Sequence, residues 1–160
     1  MRAPTLIIGY GNPSRGDDGL GPAAAARVEQ RAAQGADWGA IEVLTDFQLQ
    51  IEFVTDLAWR QRVLFIDADA SGPEPYAFMR LEARQEAAAT THALSPASLL
   101  SVYRRFHRQN PPPAYLLAIR GYCFELGSPM SAEALANLDA AMSMLDGWLA
   151  CHDVQGEMQS

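Results

Sequence analysis

The sequence of 160 residues has few cysteines, no excess of basic residues and no long apolar run. No apolar stretch approaches the roughly 20 residues that a membrane-spanning helix needs, which argues against a transmembrane protein. The formal net charge is −7, whereas a nucleic-acid-binding domain normally presents a basic patch. We therefore expect neither a nucleic acid nor an anionic membrane surface among the partners.

The two cysteines, Cys123 and Cys151, are too few to indicate a disulfide framework. Residues 1–4 lead directly into an apolar stretch, without the pattern of a signal peptide. We therefore expect a cytoplasmic protein in which both thiols are free.

A hydrophobic content of 49% and a charged content of 19% are typical of a globular domain with a substantial core. We expect a single α/β domain over residues 1–152 and a disordered tail over residues 153–160, because the last residues are polar.

Apolar runs alternate with segments of helical spacing along the chain. Strands are predicted at 5–10, 41–44, 62–66, 76–81 and 114–119, and helices at 20–34, 49–59, 96–107 and 131–149. This alternation predicts an α/β fold of three layers, αβα, around a twisted and mostly parallel sheet of about five strands. The strand at 76–81 is predicted to lie at an edge of the sheet.

Several apolar and charged residues are expected to be structural. The last helix carries an apolar stripe that is expected to face the core, formed by Leu135, Leu138, Met142, Leu145 and Trp148. The tryptophans Trp38, Trp59 and Trp148 are expected to be packing residues. A basic cluster on the third helix is expected to be a solvated face, formed by Arg104, Arg105, His107 and Arg108.

The first predicted strand is followed by a loop that carries glycines and two adjacent acids, TLIIGYGNPSRGDDGLGP over residues 5–22. The loop lacks the third glycine of a dinucleotide-binding fingerprint, because Ser14 occupies that position, and it lacks the lysine of a P-loop. Nucleotide binding is therefore not expected. No serine lies in a G-x-S-x-G turn, and Glu125 close to Cys123 disfavours a reactive thiolate.

Three side chains with useful chemistry follow predicted strands. Asp18 follows the first strand, Asp67 ends the third, and His92 comes after the fourth. Sites in open α/β sheets form beyond the carboxyl ends of the strands, and two carboxylates with an imidazole suit a divalent metal. Each also has a structural interpretation: Asp17 and Asp18 as charges at a helix start, Asp67 as a turn residue, and His92 as a surface histidine.

Four segments of the chain together resemble the nickel–iron hydrogenase maturation endopeptidases. IIGYGNPSRGDDGLGP is similar to the first motif of that family, G-x-G-N-x-x-x-x-D-D/E-x-x-G. FIDADASG resembles the second motif, TTHALSP resembles the histidine motif, and IRGYCFELGSPMS resembles a block found in part of the family. The resemblance covers nearly the whole chain, from Leu6 to about Leu149, and implies a phosphorylase/hydrolase-like fold.

The resemblance implies a reaction and a set of site residues. The family's metal ligands fall on Asp18, Asp67 and His92, with Asp18 shorter than the glutamate of many relatives. The implied activity is removal of the C-terminal extension from the precursor of the hydrogenase large subunit after nickel insertion. Nickel carried by the substrate would be the recognition element, and the free enzyme need not hold metal. Asp17 is interpreted as a favourable charge at the helix start.

Two other functions remain open from the sequence. One is a metal-dependent peptidase that acts on small peptides. The other is a non-catalytic chaperone that binds the metal centre of its partner. Cleavage of a protein precursor, cleavage of free peptides, or binding without a change in mass would distinguish the three.

Overall fold

The computed structural model describes residues 2–85 and 94–151. Its strands are β1 (Thr5–Tyr10), β2 (Ile41–Asp46), β3 (Arg62–Asp69), β4 (Tyr76–Leu81) and β5 (Ala114–Arg120). Its α-helices are α1 (Leu20–Ala33), α2 (Phe53–Leu57), α3 (Pro96–His107) and α4 (Ala132–Ala150), with a short 3-10 helix at Gly16–Gly19.

The five strands form one sheet in the order β2-β1-β3-β5-β4. All neighbours pair in parallel except β4, which lies antiparallel to β5 at an edge. One apolar cluster covers the face under α1 and α4, and a second covers the face under α2 and α3. The predicted α/β class, with its mostly parallel five-stranded sheet between helices and its edge strand, is therefore confirmed.

The strand order reverses at β1, which lies between β2 and β3. The chain leaves β1 through α1 to reach β2 on one side, and then crosses through α2 to β3 on the other side. Loops that leave neighbouring strands in opposite directions open a crevice between them, and ligands of open α/β folds bind there. The carboxyl ends of β1 and β3 therefore frame the expected position of a site.

Three strands are longer than the sequence predicted, β5 by Arg120 alone, and the second helix is much shorter. β3 continues past Ile66 because Asp69 still pairs with Arg120 on β5. β2 extends to Asp46, which pairs with Tyr10. The helix predicted over residues 49–59 is wrong in its bounds, because a tight turn precedes Phe53 and Trp59 adopts a left-handed φ of 69°.

Two packing predictions are wrong. Leu135 is 42% exposed, because the buried face of α4 runs through Leu138, Met142 and Leu145 and leaves Leu135 beside it. Trp59 is 82% exposed, whereas Trp38 is 5% exposed as expected. Trp148 also packs as expected, against Phe78 and Tyr115.

The helix α1 lies against the sheet at two glycines. A Cβ atom at Gly21 would lie 2.4 Å from the carbonyl oxygen of Tyr10 and 2.5 Å from that of Ile66. A Cβ atom at Gly9 would lie 2.4 Å from the carbonyl oxygen of Gly21. The absence of side chains therefore lets the start of α1 approach the carboxyl ends of β1 and β3.

Gly21→Ala is expected to lower the free energy of unfolding by about 1–3 kcal/mol, because backbone atoms of β1 and β3 must move. The same substitution at Gly147, inside α4, is the matched control. No atom lies within 4 Å of a Cβ built at Gly147, so Gly147→Ala should stabilise by about 0.5–1 kcal/mol. Chemical denaturation of both variants checks this. Equal effects of the two substitutions would contradict the close approach of α1 to the sheet.

None of the helices in the described part of the chain combines the length and apolar character needed to cross a membrane.

Candidate functional site

Two of the three predicted site residues come together at the carboxyl edge of the sheet. Asp18 lies in the 3-10 helix that follows β1, and Asp67 lies in β3. Ile8 pairs with Phe65 and Gly9 with Ile66, so the same register brings Asp67 beside the end of β1. The charge of Asp18 acts on the Asp67 carboxyl group. Asp67 lies within β3 rather than at its end, because the strand continues to Asp69.

Asp18 is fixed by the backbone of the loop that precedes it. Its Oδ2 atom accepts a hydrogen bond of 2.7 Å from the backbone N–H of Asn12. Gly11 has a φ of 143°, and a Cβ atom there would lie 2.0 Å from the carbonyl oxygen of Asp18. A residue with a side chain does not fit at position 11, so the glycine permits the loop to fold back on Asp18.

Asp67 has an unusual pKa for a carboxyl group. Burial, and to a smaller degree the negative charges of Asp18 and Asp69, raise its pKa from 3.8 to about 7. Hydrogen bonds from the Ala68 N–H and the Tyr10 hydroxyl oppose this rise only in part. A carboxyl group that titrates near neutral pH can both accept and donate a proton, which suits general acid–base catalysis.

The hydroxyl group of Tyr10 is a site component that the sequence analysis missed. It donates a hydrogen bond to Asp67. Burial, together with the charge of Asp67, raises the pKa of Tyr10 well above its ordinary value, so the phenol remains a donor. Strand alternation could have indicated this contact. Ile8 pairs with Phe65, and Tyr10 and Asp67 each lie two residues further along their strands, so their side chains point to the same face of the sheet.

Asp17 forms hydrogen bonds at the start of a different helix from the one predicted. Its side chain is fully buried and accepts hydrogen bonds from the N–H groups of Tyr122, Cys123 and Ser131, and from the Ser131 hydroxyl group. Ser131 is the N-cap of α4, where its Oγ atom accepts a bond from the Ala134 N–H. Asp17 therefore supports the start of α4 and the loop after β5, and not the start of α1.

The charge of Asp17 is stabilised despite its burial. Burial alone would raise its pKa, but the backbone bonds from Ser131, Cys123 and Tyr122 outweigh it and hold the pKa below 3.8. The Asp17 N–H also donates to the Cys123 carbonyl group over 2.7 Å. The ionised carboxylate thus connects the Asp18 loop to the segment between β5 and α4.

His92 lies outside the described residues, so its predicted role as a ligand stays a prediction. Within residues 2–85 and 94–151, no three histidine, cysteine or acidic side chains converge in an arrangement that would hold a metal ion. The described part of the site is thus a pair of carboxyl groups, Asp18 and Asp67, with the Tyr10 hydroxyl beside them.

No protein-family model matches the sequence, and no curated protein matches it significantly. Solved structures do match. The nickel–iron hydrogenase maturation protease HycI from Thermococcus kodakarensis superimposes with a TM-score of 0.67 at 19% identity, covering 94% of each chain.

Two further solved structures superimpose on this chain to a similar extent. The hydrogenase maturating endopeptidase HybD from E. coli gives a TM-score of 0.66 at 21% identity over 91% of this chain and 90% of its own. A hydrogenase 3 maturation protease gives 0.65 at 21% identity over 90% of each chain. This chain therefore has the fold of the hydrogenase maturation proteases.

Proposed function

We propose that this chain is a hydrogenase maturation endopeptidase that removes the C-terminal extension of the precursor of the large subunit. The proposal rests on one observation above all. Asp18 and Asp67 meet where the strand order reverses, and burial raises the pKa of Asp67 to about 7. The fold shared with the maturation proteases and the four sequence motifs support the same activity.

The donor set fits nickel carried by the substrate. Carboxylate and imidazole groups are ordinary ligands of divalent first-row metals, and the proposed set is Asp18, Asp67 and His92. Two carboxylates and one imidazole leave positions for the thiolates of the precursor. In this proposal nickel belongs to the substrate and is the recognition element, and the free enzyme is metal-free.

The residues of the chain supply the proton transfers of peptide hydrolysis. A water molecule that attacks the scissile carbonyl must lose a proton, and the leaving amine must gain one. Asp67 is suited to both steps while its carboxyl group is not bound to nickel, because its pKa then lies near 7. The Tyr10 hydroxyl orients the Asp67 carboxyl group, and Asp18 holds the substrate's metal centre beside it. Bound nickel would supply Lewis acidity.

The carboxyl edge of the sheet also suits a protein substrate. Phe47 and Ile51, which follow β2, are 66% and 52% exposed, and Leu126, which follows β5, is 68% exposed. Contiguous exposed apolar surface marks protein-binding sites, whereas single exposed apolar residues are common, so the proposal is that these three side chains act together. These residues favour a folded precursor over a short free peptide.

The proposal is tested by incubating the enzyme with the large-subunit precursor, nickel-loaded or nickel-free, and measuring the intact mass. The expected result is loss of the C-terminal extension from the nickel-loaded precursor alone. Trimming of both forms would contradict nickel recognition. Cleavage of free peptides with added zinc or manganese would favour a general peptidase, and tight binding without a mass change would favour a chaperone.

A further inference from the structure

Asn12 lies directly beside Asp18 in the loop that follows β1. Its backbone N–H donates the hydrogen bond of 2.7 Å to the Oδ2 atom of Asp18. Because the side chain of asparagine is short, the Nδ2 atom of Asn12 lies within about 8 Å of that oxygen. A peptide bond held at Asp18 is therefore within reach of the Asn12 amide.

A hydrogen bond fixes the orientation of the Asn12 amide. Its Oδ1 atom accepts a bond of 2.9 Å from the backbone N–H of Ser14. The opposite orientation would place the amide NH2 group against that N–H, with a donor facing a donor. Within residues 2–85 and 94–151, Nδ2 has no hydrogen-bond partner. The NH2 group is thus a donor that is held in place and still unused.

The donors that contact the two carboxyl groups of the site are already engaged. The Tyr10 hydroxyl and the Ala68 N–H both donate to Asp67, and the Asn12 N–H donates to Asp18. An ionised carboxylate can only accept hydrogen bonds. The described part of the site is therefore rich in acceptors and negative charge, and the Asn12 side chain adds a donor to it.

Other groups of the same loop are less suitable as donors to a substrate. The N–H groups of Gly11 and Arg15 donate to the carbonyl groups of Asp46 and Asn12. Ser14 and Arg15 also carry side-chain donors, but both residues are exposed, whereas Asn12 is half-buried. Asn12 therefore combines a fixed side chain, an unused donor and direct contact with Asp18.

Hydrolysis of a peptide bond benefits from such a donor. When water attacks the scissile carbonyl carbon, a C–O bond forms, the π electrons of the carbonyl group move to its oxygen, and the proton of the water passes to a carboxylate of the site. When the C=O bond forms again, the C–N bond breaks and the leaving nitrogen takes up a proton. The negative oxygen develops beside carboxylates, and a preorganised donor stabilises it.

We propose that Asn12 is a further catalytic residue, whose side-chain NH2 group donates a hydrogen bond to the scissile carbonyl oxygen as that oxygen becomes negative. This inference rests on the proposed function, because it assigns a role in the same reaction. The hydrogen bond strengthens as charge develops, so Asn12 contributes more to the rate of cleavage than to binding of the precursor.

Two substitutions separate this role from its alternatives. Asn12→Asp keeps an acceptor for the Ser14 N–H but replaces the donor by a negative charge. Asn12→Ala removes donor and acceptor and adds no charge. Both keep the backbone N–H that holds Asp18, so the thermal midpoint should change little. Each is expected to slow single-turnover cleavage of the nickel-loaded precursor by about 100-fold to 1000-fold and to leave the dissociation constant of the precursor nearly unchanged.

The matched control is Asn110→Asp, which makes the same change at an exposed position before β5, on the opposite edge of the sheet. It should cleave like the wild type. A normal rate for Asn12→Ala would overturn the role, because added charge alone would then slow Asn12→Asp. A normal rate for Asn12→Asp would overturn it as well, because Asn12 would then only hold the turn at Ser14.

Two further outcomes count against the role. A loss that lies only in the dissociation constant of the precursor would make Asn12 a binding residue and overturn the catalytic assignment. A wild type that leaves the precursor uncut would overturn the proposed function, and the role of Asn12 with it. The failure of the proposed function is thus seen in the wild type, whereas failure of this inference is seen in the Asn12 variants beside an active wild type.

Discussion

Replacing Asp67 by asparagine is expected to reduce cleavage of the nickel-loaded precursor by about a hundredfold to ten-thousandfold. Asparagine keeps the size of the side chain and can still accept the hydrogen bond of Tyr10, but it can neither take up nor release a proton. Asp18→Asn is expected to reduce cleavage strongly as well, because the amide is a poorer metal ligand than the carboxylate. Single-turnover assays with mass detection measure both effects.

Asp67→Asn is also expected to change how the free energy of unfolding depends on pH. The folded-state pKa of Asp67 is raised to about 7 from 3.8. The proton held by Asp67 therefore stabilises the fold at low pH, and this stabilisation is lost as pH rises from about 4 to about 7. Asp67→Asn lacks this loss and should be more stable than the wild type by about 1–3 kcal/mol at about pH 8.

The control for Asp67→Asn is Asp139→Asn, at an exposed position on α4 where Asp139 pairs with Arg27 over 2.7 Å. It should change neither cleavage nor the pH dependence of stability, since exposed ion pairs contribute about 0–1 kcal/mol. Denaturation in a chelator-containing buffer keeps the measurement free of metal. Full activity of Asp67→Asn would remove Asp67 from the mechanism.

Asp17→Ala is expected to lower the free energy of unfolding by about 3 kcal/mol or more, because four partly buried donors lose their common acceptor. The donors are the N–H groups of Tyr122, Cys123 and Ser131 and the Ser131 hydroxyl group. For a domain of this size the thermal midpoint should fall by roughly 6–12 °C. Calorimetry or thermal circular dichroism measures the change.

The pH dependence of Asp17 has the opposite sign to that of Asp67. The folded-state pKa of Asp17 is lowered below 3.8, so its contribution to stability is present above that value and is lost as pH falls through the lowered pKa. Asp17→Asn should also destabilise, because its amide places a donor opposite other donors. Asp18→Asn should leave stability nearly unchanged. A stable Asp17→Asn variant beside an unstable Asp18→Asn variant would reverse the assigned roles.

Local signals predicted the fold well. β1 and β4 have the predicted bounds, and so does α3, whose N-cap Ser95 precedes a proline at the first helical position. Where the bounds of an element differ from the prediction, pairing with a strand distant in sequence determines them. β3 gains Asp67 to Asp69 from pairing with β5, and no local pattern within residues 67–69 reports that partner.

The part of the candidate site that depends on the order of strands and loops could be predicted from the sequence. The strand-end rule selected Asp18 and Asp67, and the structure places both at the carboxyl edge of the sheet; their role in a site stays a prediction. The partners of Asp17 were not predictable in the same way, because Tyr122 and Ser131 lie more than a hundred positions away in sequence. An acid at a loop start gives no local indication of which helix its carboxylate will support.

We propose that Asp18 and Asp67 form the catalytic centre of a protease specific for the nickel-loaded precursor. The most direct measurement is the intact mass of that precursor after incubation with the wild type, Asp67→Asn or Asp139→Asn. We expect a single C-terminal cut by the wild type and Asp139→Asn, and an unchanged mass with Asp67→Asn. An identical cut by all three proteins would contradict it.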